Sequence, residues 1–389
     1  MINLVKTDDK FDFYKAIFIF VLAVWVVSLP FKNSVYQISF VLMNLVFLSH
    51  LIYFKNFAIV GEILVKTKFM AICFGGIILA MIISNLLNSD ILSKKSWEIA
   101  LLWAFRYGTI FVALCYFYKL KFFSDKEIKI LIFAGLFLLL ANALFYIIKN
   151  PNILTNVGDG IKGPLNWRTA FGLFAGLGFV CSLTLIKNAV LKAVFSMIFL
   201  FFVIFSFARS SWVASFACLI LFFAFNIKNY KLILPIVVLI IAFSLTVYFE
   251  FDSVAKRSSD LINANTSGRN VIWPYCLDMI KQHLFFGWGV DSFRNLPNSP
   301  VFIHSTFNGA HNLFLELLLH TGIFGFAIYF CTILSNFFHA FKSKNFEIFT
   351  IFAYFFVIMQ FDFSVFGSKE LLSYLAIFTF LLYRKKVES

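Results

Sequence analysis

The chain has 389 residues, of which 61% are hydrophobic, 20% aromatic and only 13% charged, whereas soluble domains are roughly 45–50% apolar. This excludes a soluble globular protein and a disordered one, and it predicts an integral membrane protein. The formal charge of +14 reads as a topology signal and as attraction to anionic lipid headgroups, since no basic tract with interleaved aromatics lies in a soluble segment; nucleic acid is therefore not expected as a partner.

Apolar runs long enough to cross a ~30 Å hydrocarbon core at about 1.5 Å per residue recur along the whole length. They lie at 14–29, 35–54, 69–87, 97–118, 127–148, 169–186, 189–208, 210–225, 231–249, 312–338, 346–363 and 370–383. Unpaired backbone groups in lipid cost several kcal/mol, so each run is predicted to be a helix. The fold class is accordingly all-α, a single polytopic membrane domain over 1–389 with about twelve transmembrane helices. The first run has no small-residue cleavage site and is followed by Pro30 and Lys32, which predicts a retained helix rather than a signal peptide. With the N-terminus in the cytoplasm, nineteen of the 33 basic residues fall on the cytoplasmic side and thirteen on the other, while Arg106 falls within a span. That bias places both termini in the cytoplasm. Five cysteines lie in spans and only Cys276 lies in a long loop, so no disulfide is implied.

Two connections are long, and both belong on the external side. The smaller, 149–168, is rich in Gly, Pro and Asn and reads as irregular backbone. The larger, 250–311, is the one long polar interruption and is embedded in the membrane domain as a periplasmic loop. Within it a helix is predicted over 269–282, with Ser267 as its N-cap and Pro274 near enough to the start to be tolerated. Gly287 and Gly289 then mark a turn.

Several residues could carry chemistry. Arg209 stands at the external junction of two spans, with Ser210 and Ser211 placed to cap the following helix; a guanidinium at a helix N-terminus makes an anion site. Position alone leaves this balanced against an interfacial arginine that snorkels. Arg269 is a second cation, in a loop whose charges balance overall, so phosphate recognition there would rest on individual forked guanidiniums. His311 stands where the loop ends and a helix begins, an environment that disfavours an imidazolium and favours a ring able to accept a proton. The plainer reading is a histidine that merely tops the helix. His283 and His304 share the loop, yet no HxxH, HExxH or CxxC spacing is present, and no metal is expected. Glu316 and His320, one turn apart, are placed to form a local pair. Gly322 and Gly325 read as a kink or a close packing contact rather than a phosphate loop.

Taken in order, ARSSW (208–212), SGRNVIW (267–273), HLFFGWG (283–289) and AHNLFLELLLHTGIFG (310–325) resemble the O-antigen ligase family, with the likeness concentrated in 207–325. The resemblance implies a membrane fold related to the C-type glycosyltransferases. It also implies transfer of a glycan from an undecaprenyl pyrophosphate carrier to lipid A-core at the periplasmic face of the bacterial inner membrane, without a cofactor or a metal. By residue, it implies catalytic roles for Arg209, Arg269 and His311, and substrate contacts for Arg209, Arg269, Ser210, Trp273 and Asn312. The pattern departs from the family at His320, where an acidic residue is usual, and at Pro274. O-antigen polymerases share the superfamily and differ in taking a second lipid-linked repeat as acceptor. A transporter without catalysis is the reading from a different class, and it would need polar residues spread through the spans.

Overall fold

Each of the twelve apolar stretches contains a helix in a computed structural model that describes residues 9–31, 34–156, 160–165, 167–263, 268–300, 309–361 and 368–388. In chain order the helices are α1 (Asp9–Ser28), α2 (Ser34–Phe54), α3 (Phe57–Lys66), α4 (Lys68–Leu87), α5 (Lys94–Trp103), α6 (Ile110–Lys119), α7 (Asp125–Lys149), α8 (Arg168–Leu185), α9 (Ala189–Phe205), α10 (Arg209–Phe225), α11 (Tyr230–Glu250), α12 (Asp252–Ile262), α13 (Arg269–Gln282), α14 (Leu313–Lys342), α15 (Phe346–Ile358) and α16 (Lys369–Glu388). A π-helical turn, Ala104–Thr109, joins α5 to α6 as one continuous rod. Among the described residues there is no strand, and the chain is an all-α, multi-pass membrane protein.

Among the described residues eight helices are long and apolar enough to cross a bilayer: α1, α2, α4, the α5–α6 rod, α7, α8, α11 and α14. The other four predicted spans are α9, α10 and α15, apolar but of only 17, 17 and 13 residues, and α16, which ends in a basic cluster. Helices α9 and α10 meet at a buried turn, Ser206 to Ala208, and α15 ends at buried Met359. Non-helical backbone is tolerated at depth when protein covers it.

Two helices run through the middle. In α8, 89% of the most apolar window is buried, and α16 is buried without a break from Glu370 to Tyr383. Small residues make the first possible: a Cβ on Gly176 would overlap the Tyr354 hydroxyl of α15, which donates to Leu173 O at 2.6 Å. At one end of the bundle, helix ends carry ion pairs, with Lys66 and Lys119 on Glu62, Arg384 on Asp125 and Lys129 on Glu347. At the opposite end the two long connections form a layer over the helices.

That layer contains more helix than the sequence reading anticipated. Besides α13, which spans the predicted 269–282, the large loop holds α12. Ile272, Cys276, Ile280, Phe293, Leu296 and Ala310 bury together against Leu319, giving the loop its own small core. The 149–168 connection holds two short 3-10 turns, Pro151–Leu154 and Gly163–Leu165. Between α2 and α4, α3 occupies what was expected to be a plain connection.

Candidate functional site

The α9–α10 turn is buried, with Ser206, Phe207 and Ala208 all at 1% exposure or less. Phe207 takes a left-handed φ of 51°, and Ser206 Oγ accepts from Ala208 N at 3.2 Å. Helix α10 begins at Arg209, with Ala208 in the cap position. Ser210 and Ser211 therefore sit buried in its first turn and do not cap it, because the chain reverses before reaching them. Arg209 Nη1 donates to Asp260 O at 2.9 Å. From the same helix α12, Arg257 Nε donates to Phe207 O at 3.1 Å while its Nη1 lies 3.2 Å from the Asp260 carboxylate. Helix α12 thus clamps the turn that presents Arg209.

Helix α13 starts after Gly268, which holds a left-handed φ of 84° and gives no side-chain cap; the expected cap, Ser267, lies outside the described residues, as does His304. Arg269, the first helical residue, donates through Nη2 to Phe361 O. One turn later Trp273 packs on the loop core and its Nε1 donates to Ala310 O at 3.1 Å. Cys276 is buried in that core, and burial pushes its thiol up to about 12, which keeps it protonated and inert.

His311 lies between Ala310, held by Trp273, and Asn312, and it takes a left-handed φ of 50°. A non-glycine residue there costs free energy and persists only when its neighbours fix it. Asn312 supplies the second fixing point. Its Oδ1 accepts from Phe314 N at 3.0 Å and Leu315 N at 3.1 Å, capping α14, and its Nδ2 donates to Gln360 O at 3.2 Å. Leu313 N donates to Met359 O at 2.9 Å. Three consecutive carbonyls after α15, those of Met359, Gln360 and Phe361, therefore receive Leu313, Asn312 and Arg269.

The register of α10 against α15 relates Arg209 to that turn. Cys218 Sγ donates to Thr350 O at 3.4 Å. Counting about 1.5 Å per residue along each helix, Arg209 stands roughly 14 Å and the end of α15 at Ile358 roughly 12 Å beyond this contact, in the same direction. The structure therefore gathers Arg269, Trp273, His311 and Asn312 around one turn and brings Arg209 to the same level on the neighbouring helix. Trp273 and Asn312, expected as substrate contacts, hold the backbone on either side of His311.

The remaining sequence candidates have other surroundings. His320 is buried with Nδ1 3.0 Å from Gly289 O and 3.5 Å from Ser292 Oγ, and buried Glu316 faces the Gly309 backbone. His283 stacks on Trp288 at 3.6 Å. Among the described residues no group of three His, Cys, Asp or Glu is placed to hold a metal ion. The glycine motifs form a seam between two backbones. Helix α14 breaks at Gly322 (φ 62°), where Ile323 N donates to Leu284 O at 2.8 Å and Trp288 N to Leu319 O at 2.7 Å. A Cβ on Gly322 would overlap the Phe285 carbonyl, and one on Gly287 would overlap the Gly322 amide. Arg106, 2% exposed in the π turn, donates to Tyr36 OH and to Gln37 Oε1, and its guanidinium lies 4.6 Å from the centre of the Phe40 ring. It is a structural tie between the α5–α6 rod and α2.

Residues 194–330 match the family model described as O-antigen ligase, a stretch that includes Arg209, Arg269, His311 and both glycine motifs. No curated protein matches the chain.

Proposed function

We propose that this member of the O-antigen ligase family transfers a glycan from an undecaprenyl pyrophosphate carrier to lipid A-core, at the periplasmic face of the bacterial inner membrane. The observation that carries the reading is the convergence of two arginines and a strained histidine at one end of the bundle, all inside the matched segment.

The chemistry is a displacement at the anomeric carbon. An acceptor hydroxyl oxygen bonds to that carbon as the bond to the pyrophosphate oxygen breaks, and a single in-line step inverts the configuration. Arg209 and Arg269 bind the departing pyrophosphate, whose negative charge grows in the transition state, where fixed donors lower a barrier most. His311 takes the hydroxyl proton as general base, an effect of typically 10²–10⁴-fold. These three side chains supply both base and countercharge, so the reading gives no step to a metal or cofactor. The bond of Arg209 to the Asp260 carbonyl of α12 and that of Arg269 to the Phe361 carbonyl hold the two like-charged groups in place.

Deleting the gene and resolving the lipopolysaccharide on a gel tests the reading. Uncapped core, with finished polymer left on its carrier, is the expected result. Core capped by a single repeat would instead make the protein a polymerase. Purified protein that moved carrier-linked glycan across vesicles without forming a glycosidic bond would make it a transporter.

A further inference from the structure

The end of the bundle opposite the candidate site holds a pocket that the transfer chemistry does not use. It has a volume of about 330 Å³ and lies where the α8–α9 connection, the last turn of α10 and the α14–α15 connection meet, a size that takes a small ligand. Three lysines from separate segments line it: Lys187 after α8, Lys192 in the first turn of α9 and Lys344 before α15. Among the described residues Glu347 is the one carboxylate of the lining, and it is shared with Lys129 of α7 at 4.0 Å. The pocket therefore carries a net positive charge.

Lysines scattered over this end would only record topology; what makes a site is their convergence on one concave space with rigid walls. Phe225 and Phe346 stack at 4.4 Å to form one wall. Lys192 is half-buried, with its ammonium 4.8 Å from the centre of the Phe222 ring. The neutral polar side chains are already engaged. Thr184 Oγ1 donates to Val180 O, Thr350 Oγ1 to Phe346 O and Asn226 Nδ2 to Phe222 O, each at 2.8 Å, which leaves the ammonium groups as the principal donors for a ligand. Two helix N-termini, those of α9 and α15, and two C-termini, those of α8 and α10, meet here. Their dipoles largely offset one another, so the lysines decide the sign.

We propose that this pocket binds a phosphate ester anion, of the kind an acidic phospholipid headgroup presents. The charge bias puts this end in the cytoplasm, where the leaflet is anionic and where basic pockets between membrane helices take such headgroups. Val190 and Ile227, 70% and 56% exposed, stand beside the pocket near Lys192 and Asn226, so the acyl chains of a bound lipid have apolar surface to lie on. A phosphate held by Lys187, Lys192 and Lys344 bridges the α8–α9 and α14–α15 connections. It thereby fastens the feet of α10 and α15, the two helices whose far ends carry Arg209 and the 359–361 turn.

Titrations of the purified full chain in neutral detergent test this, read as the rise in melting temperature that a ligand of the native state produces. Short-chain phosphatidylglycerol is expected to raise the parent's melting temperature, and phosphatidylcholine, whose quaternary amine cancels its phosphate, is expected to leave it unchanged. In Lys187→Gln/Lys344→Gln, where both side chains are exposed, affinity for phosphatidylglycerol is expected to fall about thirtyfold, roughly fivefold per lysine. Lys55→Gln/Lys68→Gln removes the same charge from the same end but outside the pocket, and is expected to stay within about twofold of the parent. Equal losses in the two double variants would overturn the proposal, because the attraction would then belong to the whole surface. An unchanged affinity in the first variant, or equal stabilisation by phosphatidylcholine, would overturn it too. Inorganic phosphate that protects the parent as well as the lipid does, and loses that effect in the first variant, would support the pocket and make its ligand a soluble phosphate. None of these titrations requires transfer, so the pocket stands or falls apart from the ligase reading.

Discussion

The two ends of the bundle are held together by different physics. At the end opposite the loops, helix termini meet through pairs of charged side chains, such as Glu62 with Lys66 at 2.7 Å and Glu347 with Lys129 at 4.0 Å, the carboxylates being 43% and 50% exposed. At the loop end the fastening is largely main chain to main chain, or side chain to main chain. The Gly322 seam, the three carbonyls after α15 and the clamp of α12 on the α9–α10 turn are all of this kind. Exposed ion pairs are worth little, because water screens them and flexible side chains lose entropy in making them. A backbone seam is intolerant of change but positions groups closely. The candidate site lies at the end built for position, which is what stabilising a developing charge requires.

The sharpest way to break this comparison is to remove chemistry from the loop end while leaving the Gly322 seam and the α12 clamp intact. His311→Ala and Arg269→Ala are each expected to lower transfer about 10²–10⁴-fold, with insertion like the parent's; His311→Ala should also melt like the parent, whereas Arg269→Ala gives up its tie to Phe361 O and should melt slightly lower. Near-normal turnover in either variant, measured with purified donor and acceptor, would remove that residue from the site.

Next in size is a change to the seam itself. Gly322→Ala puts a Cβ into the Phe285 carbonyl at a left-handed φ, and is expected to cost roughly 3–5 kcal/mol through overpacking and backbone strain together. Limited proteolysis should then cut within 283–289, and the melting temperature should fall. A variant that melts like the parent would show that the seam does not fasten the layer.

These three substitutions also mark how far the sequence could be read. Helix 269–282 was legible because its apolar pattern and the turn glycines that follow it, Gly287 and Gly289, are local signals. The kink at Gly322 was legible for the same reason. The turn at 359–361 was not, because its function in the fold is to offer main-chain carbonyls, and every residue type has one. Arg106 could be recognised as a buried charge, but its partners Tyr36 and Gln37 lie about seventy positions away on another helix, beyond any periodicity. Helix α12 escaped because its sequence, DSVAKRSSDLI, is mostly polar, and its helicity is supported by docking on the α9–α10 turn. Spans were located well, but apolar content alone does not separate a helix that meets lipid along its length from a shorter one buried among its neighbours.

The smallest effect is expected at the opposite end, in Glu62→Gln. Lys119 and then Lys66 hold the Glu62 carboxyl down to about 2, from an ordinary 4.5. A depressed carboxylate stabilises the fold above its unfolded pKa, and that contribution is lost as pH falls from about 4.5 toward 2. The parent and the glutamine variant should therefore differ slightly at neutral pH in low salt, converge as the medium is acidified through that window, and converge also when salt is added at neutral pH. Melting curves across pH, at two salt concentrations, measure this directly. A large difference that persists in high salt would mean that the ion pairs lock helix ends as firmly as the glycine seam does, and the contrast between the two ends would fail at its weaker member.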